Sequence, residues 1–413
     1  MSRYKNSKIN EIIQNYEPPQ KTINVFMIGL RGYTQNYGGW ETFAQGLFNN
    51  WKDDNIQWWA YEKVDSVDKE EIAVVNKIIC VRVYEGETGS SAMPKYDFHC
   101  TNLTSMLVRE HNVQNPIMYH LGVRIGPFLW LNKKKYRKLG IKMAENPAGA
   151  EWRRTKWGKF LQAYLYISAV MMAKSTDCMI CDNEGVRKLY EKMLHGKKPV
   201  LECVPYGVEC YARLSDPMPE KVQSFFEKWG IEKDGYYLIL GRYTPENNYE
   251  MMFKGFIKST SSRKLLVITN YQSEIQKFHE HIRKSTQYEK DNRVIMAGTI
   301  YDAEILHYVR QYAHGYIHGH SVGGTNPGLL EAMAETDVNI CYKVNFNKYV
   351  GGKAAYYFGA EDDLAKEIER VDSMSSGEMK TIGNLARKIM QEKYSWDYIV
   401  SEYERVIRNL VAC

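Results

Sequence analysis

Short apolar runs, each closed by glycine, proline or a polar pair, recur along the chain and alternate with longer stretches of helical spacing. Val25-Phe26-Met27-Ile28 is the first, and segments 56–61, 77–84, 116–120, 177–181 and 200–204 read likewise as buried strands. A helix starts at Trp40, and helical periodicity marks segments near 97–112, 158–174 and 184–193. The second half repeats the scheme. Tyr237-Leu238-Ile239-Leu240, Leu265-Leu266-Val267-Ile268 and Val294-Ile295-Met296-Ala297 are strand-like, and Asp302 to Tyr312 is an amphipathic helix. Such alternation predicts parallel sheets covered by helices on both faces. Pro205 and Gly207 punctuate a change of direction, which places a domain boundary between 205 and 206. Residues 1–20 are polar, end in Pro18-Pro19 and read as a loose arm. Segment 393–413 is a terminal helix capped by Ser395, with an apolar face of Trp396, Ile399, Val400, Tyr403, Val406, Ile407 and Leu410.

At 413 residues the chain is long for one core, so two domains are expected, 21–205 and 206–392. The net charge of +6 is mild and does not argue for nucleic acid, and no nucleic-acid module is recognisable. The 31 tyrosines and nine tryptophans suit carbohydrate or interfacial surfaces as well as cores. Eight cysteines in a chain of this size do not make a disulfide scaffold. Cys178 and Cys181 form a CxxC, but inside a strand-like run and with no second pair at zinc-ribbon spacing. The N-terminus lacks the apolar stretch of a signal peptide, and Phe160 to Ala173 is too short to span a bilayer. A cytoplasmic protein, peripheral on the inner face of the membrane, is the expectation.

Two glycine loops carry candidate chemistry. In His318-Gly319-His320-Ser321-Val322-Gly323-Gly324-Thr325-Asn326-Pro327-Gly328-Leu329-Leu330-Glu331, a strand end meets an abrupt helix start. Asn326 is a good N-cap and Pro327 fits the next position. The N–H groups of Gly328 and Leu329 would then point outward with the helix dipole behind them, a phosphate cradle without lysine. Gly323 and Gly324 let a large anion approach the backbone. Glu331, one turn in, can accept from both hydroxyls of a ribose diol. The plainer alternative is a tight turn with a solvated glutamate. The other loop, Gly29 to Gly39, follows the first strand and leads into Trp40-Glu41-Thr42-Phe43, without GxGxxG spacing.

Both loops resemble those of retaining GT-B glycosyltransferases of family 4. The run from Val322 to Ala332 is most similar to bacterial rhamnosyltransferases of capsule and cell-wall polysaccharide synthesis, as is Tyr37-Gly38-Gly39-Trp40-Glu41-Thr42. The resemblance covers roughly residues 23–410. It implies two Rossmann-like domains facing a cleft, a terminal helix crossing back to the first domain, a nucleotide-sugar donor on the second domain, and a lipid-linked saccharide acceptor. Val204 to Glu209 resembles the family's crossover between domains. Glu331 would hold the nucleotide ribose, and Gly38, Gly39, Asn247, His320, Gly323, Gly324, Thr325, Asn326, Gly328 and Leu329 would line the donor site. Four positions depart from the family: Trp40 for phenylalanine, Ala148 for an aspartate, Asn247 for a lysine, and Gly323 for a glutamate eight residues before Glu331.

Arg242 follows a strand and can neutralise a diphosphate with its guanidinium; a surface arginine in a turn is the plain reading. His120 ends a buried strand, where the resemblance puts it near the transferred sugar, although a strand-end histidine is more often structural. His318 and His320 share a strand face but lack a third ligand at a familiar spacing, so no metal is expected and no cofactor either. The loop from Asn146 to Trp157 is the acceptor candidate. Its Glu151 either meets the acceptor hydroxyl or pairs with Arg153 or Lys156. Lys133, Lys134 and Lys135, with Trp152, Arg153 and Trp157, combine cations and aromatics suited to an anionic membrane surface. The sequence thus points to a retaining glycosyltransferase moving a deoxysugar, L-rhamnose from dTDP-β-L-rhamnose, onto a lipid-linked saccharide. The rivals are a nucleotide-sugar epimerase or hydrolase of the same fold, and a non-catalytic sugar-nucleotide-binding subunit of an assembly complex.

Overall fold

A computed structural model describes residues 8–34, 38–86, 92–154, 157–196, 199–214, 217–271 and 276–412. The chain divides into two compact units: Met1–Gly207 with Trp396–Cys413, and Val208–Ser395.

The first unit is built on an eight-stranded sheet. Its strands are β1 (Ile23–Ile28), β2 (Ile56–Val64), β3 (Glu71–Val75), β4 (Ile78–Tyr84), β5 (Pro116–Leu121), β6 (Lys142–Asn146), β7 (Cys178–Cys181) and β8 (Val200–Cys203). They lie in the order β3-β4-β2-β1-β5-β6-β7-β8, and every pair is parallel except β3 with β4. One face carries Phe26, Trp59, Val81, Met118, Met143 and Met179 against the helices Ala92–His111, Gly126–Lys138, Lys159–Ala173 and Glu184–Leu194. On the sheet's other face Tyr119 meets the terminal helix Trp396–Ala412: its hydroxyl lies 2.9 Å from that of Tyr403, whose ring also packs on Phe43. All seven residues of the expected apolar face of this helix are buried. Trp396 lies so close to Gly46 and Gly207 that a Cβ at either would overlap its ring.

The second unit is a six-stranded parallel sheet of β9 (Tyr236–Leu240), β10 (Lys264–Ile268), β11 (Val294–Gly298), β12 (Gly315–His318), β13 (Asn339–Tyr342) and β14 (Tyr356–Phe358), ordered β11-β10-β9-β12-β13-β14. Alternate residues of β9 enter different cores. Tyr237 and Ile239 pack with Phe253, Phe256, Leu364 and Ile368, whereas Tyr236 and Leu238 pack with Val222, Phe226, Tyr308 and Val309. That split is the signature of a sheet covered on both faces.

One expectation is corrected. Residues 8–15 of the supposed loose arm form a helix; Ile9 and Ile13 are fully buried and the Ile9 amide donates to Glu70 at 3.0 Å. Two apolar residues four apart suffice to seat a short helix that is otherwise polar. Residues 1–7, Gln35 to Tyr37 in the first loop, and Thr155 and Lys156 in the acceptor loop lie outside the described residues. The expected strand at 77–84 is β4, which pairs antiparallel with β3 as the second arm of a hairpin. Asn76 and Lys77 turn it with left-handed backbone (φ 48° and 68°), without the glycine that usually advertises such a turn. Lys133 to Lys138 form the last part of the Gly126–Lys138 helix, where cations complement the dipole.

Candidate functional site

In an open parallel sheet, ligands bind beyond the carboxyl ends of the strands where the strand order reverses. The second sheet reverses between β9 and β12, and the first between β1 and β5. The two glycine loops singled out in the sequence follow β1 and β12, and Arg242 follows β9.

Beyond β9 and β12 the two loops are stitched together. The Ser321 amide and hydroxyl donate to the Glu246 carbonyl at 2.9 and 2.8 Å, and Asn248 Nδ2 donates to the Gly319 carbonyl at 2.8 Å. Gly319 has no room for a side chain: a Cβ would stand 2.1 Å from the Asn247 carbonyl oxygen. Asn247 Nδ2 donates to the Arg242 carbonyl at 2.6 Å, which turns its Oδ1 toward His320 Nδ1 at 2.8 Å. A carbonyl oxygen only accepts, so His320 carries its proton on Nδ1 there. Its Nε2 lies 3.3 Å from where a Cβ on Gly323 would be. His320 therefore spans positions 247 and 323. Arg242 is exposed. His318 is buried, and desolvation pushes its pKa down to about 3, so it is a neutral wall residue.

At the helix Pro327–Glu335 the cap is as expected, with one consequence that overturns part of the phosphate reading. Asn326 Oδ1 accepts from the Gly328 amide at 2.9 Å, and the Asn326 carbonyl accepts from Leu329 at 3.0 Å. The cap has consumed the two amides proposed for an anion. Among the described residues, the N–H groups of Gly323 and Gly324 have no acceptor, and Gly323 adopts φ 135°. Thr325 is buried behind them. Glu331 is half-buried rather than fully solvated. Its Oε2 is paired with Arg310 Nη2, from the helix Ala303–Gln311. Arg310 gave no sequence signal, since an arginine on an amphipathic helix reads as surface.

In the first unit, Gly29 (φ 117°) crosses β5 so closely that a Cβ would be 2.7 Å from the Leu121 carbonyl. Glu41 Oε1 accepts from the Arg31 amide at 2.9 Å, and Gln45 donates to the Tyr33 carbonyl at 2.8 Å, so this motif's polar side chains hold their own loop. Gly38 is the extended N-cap of the helix Gly39–Asn49, and Gly39 faces open space. His120 ends β5, fully buried. The Thr101 hydroxyl donates to the Asp97 carbonyl at 2.7 Å, so it accepts from His120 Nε2 at 3.1 Å, and the neutral ring keeps a lone pair on Nδ1. Burial and the nearby Arg124 push the His120 pKa down to about 4. Arg124 is fixed by Asp97 at 2.6 Å and by the carbonyls of Gly29 and Leu121. Neither Asp97 nor Arg124 was legible as a loop anchor.

The acceptor-side loop is more tied down than expected. Glu151 pairs with Arg154 at 2.8 Å, not with Arg153, and its Oε1 accepts from the Trp157 indole at 3.1 Å. Ala148 adopts φ 55°, with its amide donating to Asn146 Oδ1 at 3.1 Å. Trp152 and Trp157 are half-buried against the core. Trp130 instead is exposed under the Lys133 ammonium. Among the described residues no three His, Cys, Asp or Glu side chains gather as a metal set, and no helix is long and apolar enough to cross a membrane.

Residues 22–209 match a family model described as a domain of unknown function (DUF1972). No curated protein matches the sequence. Solved structures match in shape along nearly the whole chain. Sucrose-phosphate synthase from Thermosynechococcus elongatus superposes with a TM-score of 0.75 at 14% identity, over 94% of this chain and 99% of that one. The fold is GT-B. A glycosyltransferase from Rickettsia africae matches at TM-score 0.70 and 15% identity, covering 95% of this chain and 99% of its own. Anabaena HepE, in complex with UDP-glucose, matches at 0.69 and 11%, covering 94% and 99%.

Proposed function

We propose that the chain is a glycosyltransferase whose second unit holds a nucleotide sugar at the β9–β12 switch point. One observation carries this reading: exposed Arg242, the unsatisfied amides of Gly323 and Gly324, and Glu331 all lie on the two loops, or the helix after them, that follow those strands. A guanidinium beside unpaired loop amides suits a diphosphate, and the carboxylate one helical turn on suits a sugar hydroxyl. HepE, which shares the fold, has been crystallised in complex with UDP-glucose. The finer reading is a retaining transfer of L-rhamnose from dTDP-β-L-rhamnose to a lipid-linked saccharide, with the donor phosphate taking the acceptor's proton and no metal. His320, presented by Asn247, is the group facing the donor where the family lysine and glutamate are absent. Turnover of a panel of nucleotide sugars, with and without a lipid-linked acceptor, tests it. Sugar transfer only with acceptor supports the reading; donor loss without acceptor makes the chain a hydrolase or epimerase, and binding without turnover makes it a non-catalytic subunit.

An anionic membrane is the proposed surface for the lipid-borne acceptor. The packed helices Gly126–Lys138 and Lys159–Ala173 turn Leu131 (71% exposed), Phe160 (90%), Trp130, Tyr166 and Ile167 to solvent, beside Lys133, Lys134, Lys135 and Lys159. Apolar side chains among cations match an anionic lipid interface. Binding to phosphatidylglycerol vesicles should weaken with salt and fall on replacing Leu131, Phe160 and Ile167 with serine; undiminished binding by that variant refutes the surface.

A further inference from the structure

At the amino-terminal ends of β2 and β4 the first unit has a cavity of about 670 Å³, within the size range of small-molecule sites. It lies at the opposite end of the sheet from the loops after β1 and β5, roughly 25 Å away along β2. Tyr16, Phe48, Trp51 and Trp58 wall it. Half-buried Trp51 is fixed in place: its indole donates to the Asp53 carbonyl at 3.1 Å, and its ring stands edge-on to Trp58 with centroids 5.2 Å apart. Half-buried Tyr16 stands edge-on to Trp59 at 5.9 Å. Gln57, 8% exposed, gives its Nε2 to the carbonyls of Trp58 and Lys77 at 2.9 and 2.8 Å. That leaves its Oε1 as an oriented acceptor in the cavity wall, with no donor among the described residues. The indole N–H of Trp58, a residue of the same wall, is buried and also lacks a partner. Such unpaired groups are few in folded proteins. The rim carries no net charge. Asp54 pairs with Lys77 at 3.0 Å, Asp53 pairs with Arg408, and Glu17 and Lys21 are of opposite sign.

We propose that this cavity is a saccharide-binding site, separate from the switch-point loops, that holds a neutral oligosaccharide. Its rings offer flat apolar surface to the C–H face of a pyranose, and Gln57 Oε1 accepts from a hydroxyl. A hydrocarbon chain would leave that oxygen and the Trp58 N–H unpaired, which is costly. A phosphate or an ammonium group would meet rim charges that are already compensated. A sugar, apolar on its faces and hydroxylated at its edge, suits both the rings and the amide. The site involves no transfer chemistry, so it stands whether or not the second unit holds a nucleotide sugar.

The test screens the fluorescently labelled full chain against an array of neutral bacterial oligosaccharides, then titrates each captured glycan by calorimetry. At least one should bind, and its affinity should hold between about 50 and 500 mM NaCl, because no ion pair joins it to the protein. Trp51→Leu and Tyr16→Leu should each weaken that binding by about tenfold, the loss of one stacking ring. Nucleoside diphosphate affinity, measured on the same samples, should not move in either variant. Capture of no glycan overturns the proposal, and so does binding that salt abolishes. Undiminished glycan binding by a folded Trp51→Leu variant also overturns it, since the glycan then sits elsewhere. A merely structural Trp51 would lower the melting temperature and leave the glycan affinity of the folded protein alone. Should Trp51→Leu not fold, Tyr16→Leu decides by the same criterion.

Discussion

Replacing Glu145 with methionine should stabilise the first unit, and by more at pH 8 than at pH 5. Glu145 lies near the end of β6 with no exposure, and neither carboxyl oxygen has a hydrogen-bond partner. It is close enough to Cys181 and Tyr190 to raise their pKa values, within a core that also contains Met118, Met143 and Met179. A buried polar group without a partner costs about 1–3 kcal/mol. Burial also holds the folded pKa well above the ordinary carboxyl value. The sign follows from linkage. The folded state keeps a proton that the unfolded state releases above about pH 4.3, so the residue's contribution is greatest below that pH and is lost as pH rises. The loss is about 1.4 kcal/mol per pH unit until the folded group ionises. Methionine fills a similar volume, needs no partner and does not titrate. Calorimetric unfolding between pH 5 and 8 should show Glu145→Met melting higher than the natural protein, by about 2–4 °C per kcal/mol for a unit of this size. The gap should widen with pH. Glu145→Gln should abolish the slope without the gain at low pH, since its amide is equally unpartnered. A methionine variant that melts lower throughout, or a gap flat across the range, refutes the reasoning.

The buried histidines should act in the opposite direction. His99 and His120, held near pKa 4, and His318, held near 3, are depressed by burial, so stability should fall as pH drops below about 6.5; His120→Asn should make urea unfolding less steeply pH-dependent between pH 6.5 and 4.5. Ala148→Asp should raise the urea midpoint by the equivalent of about 0.5–1 kcal/mol, because aspartate tolerates the left-handed backbone at φ 55° better than alanine; acceptor turnover in the same variant reports whether the carboxylate also touches substrate. Glu331→Gln should weaken nucleoside diphosphate binding by about tenfold or more in calorimetry while lowering the melting temperature, since Arg310 loses its nearer carboxylate. Sugar transfer should persist in excess EDTA, with Arg242 and the Gly323 and Gly324 amides meeting the diphosphate; a strict Mg²⁺ or Mn²⁺ requirement refutes that phosphate site.

Where a residue's environment is set by its own element, the sequence alone was sufficient. The spacing Trp396, Ile399, Val400, Tyr403, Val406, Ile407 and Leu410 required a helix with one buried face, and that face is buried. Asn326-Pro327 announced a helix start because capping involves only neighbouring backbone groups. The left-handed Ala148 was not legible, since alanine carries no conformational preference that betrays it. Nor was the hairpin before β4, whose Asn76-Lys77 turn has no glycine. Tertiary structure decided the rest, because pairing depends on which strands and helices become neighbours. His320 meets Asn247 across 73 residues only because β12 lies beside β9. Arg310 reaches Glu331 only because two helices pack over that sheet. Apolar periodicity reports whether a side chain leaves water; it carries no record of the partner a charge meets after leaving it. The Asn326 cap shows the limit most plainly: the sequence determined that the helix begins there, but the folded geometry decided that the cap, and not an anion, takes the Gly328 amide.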